Sequence, residues 1–152
     1  MYKLLILLLL SLFLWNETSA QHRPKYILEG QALGNAPFLA AKISRIFWIN
    51  DNNHVTIGTG YGYLPASAST IPIDLTLSTG RNNRFFELGL VGDFYFITPK
   101  EGPDLVFSPL MGYKSISDKR VVFRFHFSPT ILGGFGFWGG LSVGGVLDKR
   151  TK

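Results

Sequence analysis

The stretch Ile71-Pro72-Ile73-Asp74-Leu75-Thr76-Leu77-Ser78 decides the fold. Every second residue is aliphatic, and those between are proline, hydroxylated or charged. A strand turns successive side chains to opposite faces, so this segment has one oily face and one polar face; wound as a helix it would have neither. The same alternation recurs on both sides. Phe86, Leu88, Leu90, Phe94 and Phe96 alternate with Glu87, Gly89, Val91, Asp93 and Tyr95. Val121, Phe123, Phe125 and Phe127 alternate with Val122, Arg124, His126 and Ser128, and Val55, Ile57, Tyr61 and Tyr63 with His54, Thr56, Gly58, Gly60 and Gly62. From Tyr26 onward no window holds a helical period for more than a turn.

Clusters of Gly, Pro, Asn, Asp and Ser separate these runs, at Gly34-Asn35, Asn50 to Asn53, Pro65 to Ser69, Gly80 to Asn83, Pro99 to Pro103, Ser115 to Asp118 and Pro129 to Gly134. Eight strands are predicted, at residues 26–33, 37–48, 54–64, 70–79, 84–97, 104–114, 119–128 and 136–147. An even number of strands of this length, joined by short turns, fits a minimal antiparallel up-and-down transmembrane barrel.

Alternation alone leaves open which face is inside. In a soluble barrel of the lipocalin kind the apolar face fills the interior and the other face meets water, where Lys, Glu and Arg should abound. Here that other face is mostly Gly, Ser and Thr with isolated charges, and the chain of 152 residues is only 16% charged against 46% hydrophobic. That suits a crowded interior, with the apolar face turned to lipid. Ile71, Ile73, Leu75, Leu77, Leu88, Leu90, Val121, Phe123, Phe125, Leu141 and Val143 are accordingly expected to face lipid. The lumen is expected to hold Glu29, Lys42, Asp74, Glu87, Asp93, Lys114, Arg124 and His126, with Gly58, Gly60, Gly62, Gly140 and Gly144 making room for the long side chains. Its charges should pair, because an unpaired buried charge is costly.

The aromatic residues Tyr26, Phe47, Trp48, Tyr63, Phe86, Phe94, Phe96, Tyr113, Phe127 and Phe137 fall mostly towards strand ends, where an interfacial girdle would lie. An aromatic core between two sheets of a periplasmic sandwich would place them similarly.

The first twenty residues read as a targeting segment. Lys3 precedes an apolar run from Leu4 that continues through Ser11 to Trp15, followed by Asn16, Glu17 and Thr18-Ser19-Ala20. This is the layout of a secretory signal peptide, and its apolar part is shorter than the ~20 residues of a spanning helix. Cleavage is expected after Ala20, which leaves residues 21–152 as one barrel domain carried to the outer membrane of a Gram-negative envelope. With no cysteine there is no disulfide, thiolate metal site or lipidated cysteine.

Candidate chemistry is sparse. A Ser/His/Asp set for a lipid-modifying enzyme could be drawn from His126 with Ser128, Asp74, Ser78, Asp93, Ser108 and Ser142, but hydroxyls are ordinary lumen residues and His126 suits a polar network equally well. The reading is therefore non-enzymatic. His22, His54 and His126 show no metal-ligand spacing, so neither a metal nor another cofactor is expected. Gly58-Thr59-Gly60-Tyr61-Gly62 lacks the helix that a nucleotide-binding loop requires. The net charge of +5 is scattered, which argues against nucleic acid and for anionic headgroups near Arg23, Lys25, Arg45, Arg81, Arg84, Lys149 and Arg150.

With both termini periplasmic, the outer connectors fall near 34–36, 65–69, 98–103 and 129–135, too short for a large adhesive surface. Eight strands also enclose too little space for an aqueous pore, which needs about 16. The expectation is a structural or binding component of the envelope whose partners are outer-membrane lipids and the barrel-assembly machinery, the latter for insertion. The alternative is a secreted soluble barrel holding a hydrophobic ligand.

Segments along the chain also resemble a family of small, mostly uncharacterised outer-membrane β-barrel proteins of Bacteroidota. Tyr26 to Glu29, Ala40 to Phe47, Gly58 to Tyr61, Pro72-Ile73, Phe85 to Gly89, Gly112 to Lys114, Val122 to Pro129 and Phe137 to Gly144 follow that family's motifs in order. The resemblance implies an outer-membrane barrel and no particular activity. Two departures stand out: a charged tail, Asp148 to Lys152, follows Leu147 where members end on an aromatic residue, and Lys42 and Ser44 replace an expected Asn and an acidic residue.

Overall fold

The computed structural model describes residues 23–33, 39–64, 68–97, 104–130 and 136–148. The proposed signal segment, 1–20, lies outside them, as do the connectors within 34–38, 65–67, 98–103 and 131–135 and the tail beyond Asp148. The strands are β1 Tyr26–Leu33, β2 Leu39–Trp48, β3 Asn53–Leu64, β4 Ala68–Arg81, β5 Arg84–Ile97, β6 Asp104–Ile116, β7 Val121–Thr130 and β8 Gly136–Val146. Each pairs antiparallel with the next, and β8 returns to pair with β1, so the sheet closes into an up-and-down barrel without a free edge. The alternation of Ile71 to Ser78 is reproduced residue by residue, with Ile71, Ile73, Leu75 and Leu77 outside and Pro72, Asp74, Thr76 and Ser78 inside.

Three prolines interrupt two of the ladders because they lack an N–H. Pairing of β3 with β4 runs from Asn53 opposite Thr79 to Thr59 opposite Ile73, skips Pro72 and resumes at Gly62 opposite Thr70. Pairing of β6 with β7 covers Met111 to Ile116 on β6. Extending that register would bring Pro109 against Pro129, and the Ser128 hydroxyl instead donates to the Pro109 carbonyl at 2.6 Å.

The turns at the end that carries both termini are well specified. Asn82 and Asn83 both take positive φ, 51° and 62°, as a two-residue hairpin matching the strand twist requires, and Asn tolerates this conformation better than most residues. Between β6 and β7 the turn closes with Arg120 at φ 69°, donating its N–H to Ser117 O at 2.8 Å. The strand predicted from residue 119 consequently starts only at Val121. The Asp148 carboxylate accepts the backbone N–H groups of Lys25 and Tyr26, so the first charged residue after Leu147 ties the chain's end to the start of β1.

The interior at this terminal end differs from the polar lumen read from sequence. Ile27, Ile46, Phe85, Ile116 and Val122 form a buried apolar cluster inside the barrel, with Trp48 and Val146 packed against it. Trp48 thus leaves the proposed outer girdle. It points inward, its ring centroid 4.4 Å from that of His54 and 5.8 Å from that of Phe85, and its indole N–H donates to Pro24 O at 2.9 Å. Arg23 lies over the same indole and pairs with Asp51, so the segment before β1 folds against this end of the lumen.

Candidate functional site

Above the apolar cluster the lumen holds a layer of charge. Inward positions of β1, β2, β4, β5, β6 and β7 bring together Glu29, Lys42, Asp74, Glu87, Lys114 and Arg124, all buried. The register alone would give a poor arrangement, since Lys114 of β6 stands opposite Arg124 of β7 and like charges facing each other across a ladder repel. Glu87 resolves this. Its Oε1 meets Lys114 Nζ at 2.8 Å and its Oε2 meets Arg124 Nε at 2.5 Å. Asp74 does the same further round the barrel, with Oδ1 2.9 Å from Lys42 Nζ and Oδ2 3.0 Å from Arg124 Nη1. Glu29 completes the set at 3.4 Å from the same Nη1. Arg124 is therefore a hub held by three carboxylates, a role for which the rigid fork of a guanidinium is suited and a lysine is not. Lys114 also donates to Thr56 Oγ1 at 3.1 Å, and Ser78 donates to Glu87 Oε1 at 3.2 Å.

Glycines make this layer possible. A Cβ on Gly58 would collide with the Asp74 carboxylate and the Ser44 hydroxyl, and one on Gly60 would lie 2.8 Å from Lys42 Cγ. Lys42 and its partner Asp74 thus lie against the β3 wall where side chains are missing.

The remaining predicted lumen residues, Asp93 and His126, are also buried, but they stand outside the ion pairs. Asp93 lies towards the distal end, opposite the termini, and its Oδ1 has no hydrogen-bond partner among the described residues. Among the described residues, neither nitrogen of His126 has one. Ser128 is engaged with Pro109 and Ser78 with Glu87, so no serine is hydrogen-bonded to His126 among the described residues. The described residues also contain no cluster of three or more His, Asp or Glu fit to hold a metal ion.

The outer surface carries the aliphatic and aromatic faces. All eleven residues expected to face lipid, Ile71, Ile73, Leu75, Leu77, Leu88, Leu90, Val121, Phe123, Phe125, Leu141 and Val143, point outward and are exposed. Leu75 at 51%, Phe123 at 44% and Phe125 at 49% contrast with Arg124 at 2%. These three would lie inside a lipocalin-like barrel, and the structure places them outside. Phe86, Phe96, Tyr63 and Tyr113 join them on the exterior, whereas the Phe137 side chain falls outside what is described. Arg45 departs from its expected place among free rim cations: it lies on the outer face, nearly covered, with its guanidinium 5.5 Å from the Tyr26 ring centroid and 4.8 Å from that of Phe47.

Sequence reasoning missed the apolar cluster and the bridging roles of Asp74 and Glu87. A signal for the cluster exists in doublets such as Ile46-Phe47, Phe85-Phe86 and Val121-Val122, where both faces of a strand end turn apolar.

Solved structures share this architecture. The N-terminal β-barrel domain of Pseudomonas aeruginosa OprF superposes with a TM-score of 0.56 over 80% of this chain and 94% of that domain, at 12% identity. The de novo designed TMB2.3, solved by solution NMR, superposes with a TM-score of 0.59 over 86% of this chain and 100% of that chain, at 8% identity. No protein-family model and no curated protein matches the sequence.

Proposed function

We propose that this chain is an integral outer-membrane β-barrel with a filled polar lumen and no open pore, serving a structural or binding role in the cell envelope. The observation that carries this reading is the inverted distribution of polarity: a closed barrel with its ion pairs inside and a continuous belt of exposed Leu, Ile, Val and Phe outside. In water such a belt would drive aggregation, since soluble monomers keep contiguous apolar patches to a few hundred Å². In a bilayer it is the expected lipid face, and closure leaves no backbone group of a sheet edge to face hydrocarbon. The fold shared with the OprF barrel domain supports the architecture. The motif resemblance supports placing the chain with the small Bacteroidota outer-membrane barrels, with export by a signal peptide cleaved after Ala20 and insertion by the barrel-assembly machinery.

The lumen argues against passage of solutes, because six charged side chains pair across it and an apolar cluster lies between them and the terminal end. The test is cell fractionation followed by electrophoresis with and without boiling. Recovery in the outer membrane as a heat-modifiable band, together with no steady conductance in planar bilayers, is expected. A soluble periplasmic product would overturn the reading, and a stable ohmic conductance would overturn the closed lumen.

A further inference from the structure

The charges of the described lumen residues do not sum to zero. Among the described inward-facing residues, Lys42, Lys114 and Arg124 are matched by Glu29, Asp74 and Glu87, and all six are joined in one network of ion pairs. Asp93 is a fourth carboxylate, 2% exposed, with no ion pair and with Oδ1 unpaired among the described residues. It cannot borrow a cation from the network without orphaning another carboxylate: Lys42 is already held by Asp74 at 2.9 Å. Its register partners are Pro72 on β4 and Val106 on β6, neither of which offers a side-chain donor. The inward positions on either side of Pro72 along β4 are Asp74, already engaged by Lys42 and Arg124, and Thr70, fully buried, whose hydroxyl likewise has no hydrogen-bond partner among the described residues. Thus two adjoining strands present an anionic oxygen and a neutral oxygen, both removed from water and both unsatisfied.

A buried carboxylate in this position is accommodated either by taking up a proton or by a compensating positive charge held beside it. Among the described residues the deficit is a single charge. A divalent ion would overshoot it, and calcium takes six to eight oxygen ligands, usually from several carboxylates, whereas the described residues gather no cluster of three acidic or histidine side chains. We propose that the distal half of the lumen binds one monovalent inorganic cation at Asp93, with the Asp93 carboxylate and the Thr70 hydroxyl as its protein oxygen donors. The site depends on the closed lumen and not on the lipid environment, so it stands or falls separately from the proposed location of the barrel.

The test uses the full-length barrel in detergent, followed by its heat-modifiable band and by ²³Na NMR. Unfolding midpoints are compared in sodium, potassium and choline chloride at equal ionic strength. A saturable rise of the midpoint in sodium or potassium over choline is expected, together with broadening of the ²³Na line that excess potassium reverses. Asp93→Asn, of nearly the same shape, is expected to abolish both responses and to be more stable in choline than the natural chain. Thr70→Val is expected to weaken the response while leaving the band intact. Equal midpoints for the natural chain in all three salts, with no ²³Na broadening above that of detergent alone, would overturn the proposal even if the variants failed to fold. A midpoint indifferent to the salt but dependent on pH, and losing that dependence in Asp93→Asn, would overturn it in favour of a proton as the compensating charge.

Discussion

Two neighbouring levels of one lumen are built on opposite chemistry. At the terminal end Ile27, Ile46, Phe85, Ile116 and Val122 fill the barrel as a small hydrophobic core. Immediately above, Arg124, Lys42 and Lys114 fill it with three carboxylates. The apolar level is tolerant in principle, since neighbours can partly close around a lost methyl group, and its contribution is additive over small contacts. The charged level is all or nothing. Each of its members is acceptable inside only because its partners are present, and removing one leaves the others as uncompensated buried charges. The paired charges favour one register of the strands, while the apolar cluster closes the terminal end of the lumen.

The sharpest way to break the comparison is Arg124→Met, which fills similar volume and strips three carboxylates of their shared partner. Removing one side of a buried pair typically costs about 3–5 kcal/mol, and with three anions affected the heat-modifiable band is expected to disappear. Glu87→Gln should come next, at about 3–5 kcal/mol, because Lys114 and Arg124 would then face each other across β6 and β7 with nothing between. Its checks are the urea midpoint and partial rescue by a second change, Lys114→Met. Phe85→Ala probes the other level and should cost about 3 kcal/mol, read from the same urea curve. It should also admit water from the terminal end, seen as faster hydrogen exchange of the Trp48 indole. The smallest effect is expected at Arg120, whose φ of 69° a side chain disfavours. Arg120→Gly should stabilise by up to about 1 kcal/mol, the left-handed penalty less glycine's entropy loss, measured as a rise in the unfolding midpoint.

The architecture was legible in the sequence because a strand with two different environments must alternate, and Ile71 to Ser78 alternates without exception. The inward set followed from the same parity, so Glu29, Lys42, Asp74, Glu87, Lys114 and Arg124 could be named before any coordinates. Their partners could not. Glu29 stands opposite Lys42 in the register but pairs with Arg124, and Lys42 pairs instead with Asp74 two strands away. Such pairing depends on the stagger of strands around a closed barrel and on the reach of long side chains past glycines, neither of which a single strand reveals. The apolar cluster was hidden for a related reason: Phe85, Ile46 and Val122 fall on the face that is polar elsewhere along their strands. Asp93 shows the limit most clearly, since parity placed it inside and only the coordinates show that the three cations are already engaged.

The central claim is the orientation of the two faces, and the absence of cysteine from the chain makes it directly measurable. Single cysteines at Leu75, Phe123, Thr76 and Ser142, labelled with a small environment-sensitive fluorophore, would be compared in bilayers containing lipids brominated along the acyl chain. Strong quenching is expected at Leu75→Cys and Phe123→Cys and little at Thr76→Cys and Ser142→Cys. Equal quenching at all four, or quenching confined to Thr76→Cys and Ser142→Cys, would contradict that orientation.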